Sequence, residues 1–131
     1  MMTIMATELD TAKLAEQIAY GRIGLGLALM IAPGLAGRGY IGRRAGEPTV
    51  RLVNRLFGGR DVALGVWLLA SRRDKEAFRT AVAVGAACDA WDGVATLTTK
   101  DSLPKLGRFM TATTAFGAAA AGALALRGTS S

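Results

Sequence analysis

Residues Phe109 to Leu126 read FMTATTAFGAAAAGALAL, 18 consecutive residues without a charge, closed by Arg108 on one side and Arg127 on the other. A helix of a water-soluble bundle shows polar positions every three to four residues along its outer face. This stretch carries no charged face. At about 1.5 Å rise per residue it approaches the ~20 residues that cross a ~30 Å hydrocarbon layer. Working outward, Ile18 to Ala32 holds one charge, Arg22, and stops at Pro33-Gly34. Val62 to Ala70 is unbroken apolar, and Thr80 to Thr98 is interrupted only by Asp89 and Asp92 among the charged residues. The expected fold is all-α: a single domain, an antiparallel bundle of four transmembrane helices over about 14–33, 49–70, 77–98 and 106–126.

The punctuation between these segments fits that expectation. Pro33-Gly34 ends the first helix, and Gly37-Arg38-Gly39-Tyr40-Ile41-Gly42-Arg43-Arg44 reads as a basic loop. Pro48 suits the opening turn of the second helix, where its missing N–H costs nothing. Ser71 to Glu76 reads as a short charged hairpin loop, and Asp101 or Ser102 as the cap of the fourth helix, with Pro104 in its first turn. A short polar segment precedes the first helix, and the tail Gly128-Thr129-Ser130-Ser131 is expected to fray. Met1 to Gln17 carries Glu8, Asp10 and Glu16 against Lys13. A secretory leader begins with a short positive region, so the first helix is expected to be retained. The basic residues divide seven to six between the two ends, which assigns no orientation.

Composition removes many chemistries. The 131 residues include 25 alanines and 17 glycines but eight aromatics, with a net charge of +6. Hydrophobic residues make up 51%, too many for a disordered chain. One cysteine, Cys88, rules out an intramolecular disulfide and any CxxC centre. No histidine is present, which removes His-based triads and the favoured transition-metal ligand. No cofactor or metal is expected from this inventory, and no catalytic residue is assigned. The arginines of the basic loop are expected to meet membrane lipid rather than nucleic acid.

Seven polar residues fall at membrane depth: Arg22, Asn54, Arg55, Arg60, Asp61, Asp89 and Asp92. A central Arg or Asp costs about 2.5–3.5 kcal/mol on insertion scales, so none should face lipid. Their spacing gives them a way inward. Asn54, Gly58, Asp61 and Gly65 follow a 4-3-4 step and share one helix face; so do Gly85, Asp89, Asp92 and Thr96, and Ala15, Ala19, Arg22 and Gly26. Each stripe mixes polar groups with small residues that allow close helix approach. Three arginines then face three aspartates, a tally that permits pairing. These seven residues are the candidate substrate- or ion-binding set, with structural ion pairing as the competing role. Trp67 and Trp91 are expected to fill the core. On the fourth helix, Thr113-x-x-x-Gly117 and Ala118-x-x-x-Gly122 offer small faces for packing within the bundle, against a second copy or against another membrane protein.

The run Arg51-Leu52-Val53-Asn54-Arg55-Leu56-Phe57-Gly58-Gly59-Arg60-Asp61-Val62-Ala63-Leu64-Gly65 resembles a domain-of-unknown-function family of small four-helix integral membrane proteins, whose pattern is R-x-F-G-x-R-D-x-x-L-G. Arg55, Phe57, Gly58, Arg60, Asp61, Leu64 and Gly65 occupy its fixed positions. The resemblance implies a four-helix membrane fold and no particular reaction. A second, weaker similarity, in helix number and size, is to DoxX-like membrane proteins. Asp89-Ala90-Trp91-Asp92-Gly93 resembles the opening of the CDP-alcohol phosphotransferase motif, whose clustered aspartates hold divalent metal. Its further aspartates are missing here, since the last acid is Asp101. Together the features fit a multi-pass protein of the cell membrane, non-enzymatic, serving as an accessory subunit or a small transporter-like bundle. The alternative is a membrane enzyme acting on a lipid-like substrate, with Asp61, Asp89 and Asp92 as acid–base groups or divalent-metal ligands. A soluble Ala-rich bundle is the third contender.

Overall fold

A computed structural model describes residues 2–99 and 103–128. The described chain is all-α, but it contains five α-helices where four are expected: α1 (Met2–Ile31), α2 (Pro33–Ile41), α3 (Pro48–Ala70), α4 (Lys75–Thr98) and α5 (Lys105–Gly128), with a 3-10 helix at Gly42–Gly46. The fifth helix occupies the stretch read as a basic loop. Proline is the reason. The residue before it is driven out of the helical region, and Ala32 sits at φ −130°, ψ 63°, which ends α1. Pro33 then stands in the opening turn of α2, where its fixed φ favours helix. The helix ends at Gly42, whose φ of 74° lies where a side chain would be strained.

The expected polar segment before the first helix is also helical. Residues 2–17 contain neither proline nor glycine, so nothing separates them from the apolar part of α1. At the other hairpin, Asp74 caps α4: its Oδ1 accepts from the N–H groups of Glu76 and Ala77, both at 3.0 Å. The capping positions Asp101 and Ser102 and the tail 129–131 lie outside the described residues, while Gly128 closes α5.

The four long helices run antiparallel to their neighbours. α1 lies along α3 and α4 along α5; the pairs meet chiefly through α1 and α5, while α3 and α4 touch sparingly. Gly26 and Gly58 set the closeness of the first pair. A Cβ on Gly26 would stand 2.6 Å from the Gly58 carbonyl oxygen, and one on Gly58 would stand 2.5 Å from the Gly26 carbonyl oxygen. Backbone therefore meets backbone at that crossing, which only glycine on both sides allows. At the pair's other end, Ala19, Leu68, Ala81, Val82 and Ala125 join α1, α3, α4 and α5 in one small-residue cluster. α2 sits across the end where α1 stops and α3 and α5 begin, with its Tyr40 carbonyl against Gly107 of α5.

Polarity is distributed in reverse of the usual order. Asp61 and Asp89 are 4% and 6% exposed, whereas Leu56, Trp91 and Phe109 are 66%, 67% and 68% exposed. Trp67 and Trp91 thus lie on the outer surface, not in the core. The reason is size: backbones this close leave room inside chiefly for alanine and glycine with a few aliphatic chains such as Leu29, Leu68 and Val82, and none for an indole ring. Among the described residues, two helical segments are long and apolar enough to cross a membrane, Asp10–Ile31 and Lys105–Gly128. α3 and α4 have the length, but their arginines and aspartates lower their hydropathy.

Candidate functional site

Five of the seven candidate polar residues form one chain of alternating charge. The stripe positions explain the convergence: Asn54, Gly58, Asp61 and Gly65 are buried on α3, and Gly85 and Asp89 are buried on α4. Arg22 of α1 reaches between them. Its Nη1 donates to Asp61 Oδ1 at 3.4 Å, and its Nη2 makes a close contact with Asp89 Oδ2. The route to Asp89 runs past Gly85, where a Cβ would stand 3.0 Å from Nη2. Arg60 closes the other end. Nη1 and Nη2 donate to the two oxygens of Asp92 at 3.1 and 2.7 Å, and Nη2 also reaches Asp61 Oδ1 at 3.3 Å.

The order is therefore Asp89–Arg22–Asp61–Arg60–Asp92, with Asp61 shared by both guanidiniums. Two cations against three carboxylates leave one formal negative charge. The Arg60–Asp92 end is the less buried: side-chain exposure is 10% for Arg22 and 6% for Asp61, but 32% for Arg60 and 18% for Asp92. Arg60 also lies over the Phe57 ring, 4.2 Å from its centroid, and its buried Nε has no hydrogen-bond partner among the described residues.

The two remaining candidates do other work. Arg55 stays out of the ion chain, contrary to the tally of three pairs, because it projects from the exposed side of α3; its Nε donates to the Met30 carbonyl at 3.2 Å. Asn54 is buried, donating to the Pro33 carbonyl at 3.2 Å and accepting from the Tyr40 hydroxyl at 2.9 Å. It ties α3 to the start and end of α2. The spacing gave no sign of Tyr40, because the segment that holds it reads as loop. Burial pushes the Tyr40 phenol above its ordinary pKa, so it remains a hydrogen-bond donor well into alkaline conditions.

Each aspartate of the chain is held by a guanidinium, and among the described residues no group of three or more His, Cys, Asp and Glu converges to hold a metal ion. The cavity adjoining Arg22, walled by Ile18, Leu64, Leu68 and Val82, measures about 10 Å³, at the lower limit for a single water. A larger hollow lies elsewhere. At the junction of α1, α2 and α3 a pocket of about 700 Å³ is lined by Arg38, Arg43, Arg51 and Arg55 together with Ile31 and Leu35. On α5, Gly122 packs on Ala86 of α4, while Gly117 faces open space. The chain matches no protein-family model, no curated protein and no solved structure.

Proposed function

We propose that the chain is a multi-pass integral protein of the cell membrane, a non-enzymatic accessory bundle whose four long helices cross the bilayer, with α1, α3 and α4 clamped together by the Asp89–Arg22–Asp61–Arg60–Asp92 chain. The observation that carries this is the reversed polarity: large apolar side chains outside, paired charges at the centre. In water, so continuous an apolar surface drives association. In lipid the same surface is matched, and inward-facing charges that pair with one another are the tolerated arrangement. α3 and α4, at 23 and 24 residues, are long enough to span. Arg60, Asp61, Asp89 and Asp92 are turned toward neighbouring helices, which lowers the cost that insertion scales assign to a lone charge in lipid.

The resemblance to the R-x-F-G-x-R-D-x-x-L-G family supports the same conclusion. Arg60 and Asp61 of that pattern are links in the ion chain, and Gly58 and Gly65 lie against α1. A scaffolding role fits better than turnover or transport because the carboxylates are already engaged and the adjoining cavity is minimal. The test is extraction of isolated membranes at alkaline pH. The chain is expected to stay in the pellet and to require detergent for release. Recovery in the supernatant without detergent overturns the proposal.

A further inference from the structure

We infer that the arginine-lined pocket at the junction of α1, α2 and α3 binds a phosphate group, carried by an anionic phospholipid or free in solution. Its wall brings together Arg38 of α2, Arg43 of the 3-10 helix, and Arg51 and Arg55 of α3, without a carboxylate among its lining residues. The neighbouring Arg44 is different: it pairs with Glu47 at 3.2 Å and does not line the pocket. Four guanidiniums facing one hollow repel one another, a cost that an anion in the hollow removes. Guanidinium is also the side-chain group best matched to phosphate, which it grips through two parallel N–H donors. Arg55 is partly set for this, since its Nε is fixed on the Met30 carbonyl and its terminal amino groups are left for a ligand.

Volume and setting agree with a small phosphate-bearing ligand. About 700 Å³ lies within the ordinary range of small-molecule sites. Ile31 and Leu35 line the same pocket and are largely exposed, offering apolar contact next to the charges, as a phospholipid would use. The pocket lies where α1 ends and α3 begins, so the lipid source rests on the membrane reading above, whereas the phosphate chemistry does not.

The experiment uses the full chain purified in zwitterionic detergent, with two probes. One is inorganic phosphate, followed by titration calorimetry. The other is phosphatidic acid as a minor component of phosphatidylcholine nanodiscs, followed by native mass spectrometry of co-released lipid. Arg38→Gln with Arg51→Gln is expected to weaken binding about tenfold or more. Arg72→Gln with Arg73→Gln, at the opposite end of the bundle, is expected to leave it unchanged. Arg38→Gln alone, at an exposed position of α2, supplies a variant whose folding is not at stake. Binding of phosphatidic acid that inorganic phosphate does not displace identifies the lipid as the source; displacement identifies the free ion. Equal loss from both double variants, or no binding of either probe by the unmodified chain, overturns the inference. If the chain proves soluble without detergent, the phosphate titration runs in buffer alone, so failure of the membrane reading and failure of the anion site are told apart.

Discussion

Arg60 on α3 holds Asp92 on α4 by a two-pronged contact, Nη1 to Oδ1 at 3.1 Å and Nη2 to Oδ2 at 2.7 Å. These helices touch sparingly otherwise, so the fork is a principal tie between them. Its planarity matters as much as its charge. The same guanidinium reaches Asp61 and lies over the Phe57 ring, which a lysine ammonium does not do together. Arg60→Lys is therefore expected to lower stability by about 1–2 kcal/mol despite keeping the charge. Unfolding in mixed micelles by rising dodecyl sulfate measures it, and no change would mean that charge alone counts.

Arg22 is the more deeply buried of the two arginines in the ion chain and, among the described residues, the partner of Asp89. Arg22→Gln strands a buried carboxylate, which costs about 3–5 kcal/mol. Arg22→Met combined with Asp89→Leu removes both charges and should recover most of that loss. The same unfolding titration, applied to Arg22→Met, Asp89→Leu and their combination, gives the coupling through a double-mutant cycle. A double variant no more stable than Arg22→Gln would show that the pair does something other than satisfy itself.

Gly58 and its neighbour Gly59 should respond in opposite ways to alanine. A Cβ on Gly58 collides with the Gly26 carbonyl oxygen, a backbone atom that no rotamer change can move, so α1 and α3 must part. Gly58→Ala is expected to cost about 1–3 kcal/mol. At Gly59 nothing lies within 4 Å, and alanine should be neutral or stabilise by about 0.5–1 kcal/mol. Melting temperatures of the two variants, compared side by side, decide this.

The Tyr40 hydroxyl donates to Asn54, and burial raises its pKa above the ordinary value of about 10. A group whose folded pKa is raised contributes stability below its unfolded pKa and loses it as pH rises through the folded one. The tie between α2 and α3 should thus hold through neutral pH and weaken only above about pH 10. Tyr40→Phe is expected to cost about 0.5–1.5 kcal/mol at neutral pH and to remove that alkaline component. Thermal melts across the alkaline range, with tyrosinate absorbance as the ionisation probe, supply the check.

Much of the helical layout was legible in the residues themselves. Uncharged runs, the prolines at 33 and 48 and the charged turn near Asp74 mark where helices begin and end, because these features act through the local backbone. The 4-3-4 steps placed Asn54, Gly58, Asp61 and Gly65 on one face, since helical periodicity is a property of sequence. α2 escaped notice because glycines and arginines suggest loop, whereas Pro33 and the docking of Tyr40 on Asn54 and of its carbonyl on Gly107 support a helix there. The outward tryptophans are hidden from the sequence for a related reason: a large ring suggests core only where the interior has room.

Sequence by itself determined that this protein is a set of long helices with their mid-helix charges on or beside small-residue stripes, because propensity, length and period are read one helix at a time. Only the tertiary structure decided which charges meet. Arg22 and Asp89 are 67 positions apart, and Arg55, one step from the shared face, turns instead to the Met30 carbonyl. Pairing depends on how closely α1 lies along α3, since that decides how deep Arg22 reaches toward Asp89 of α4. That depth is set by glycines meeting across helices, a relation no single stretch of sequence contains.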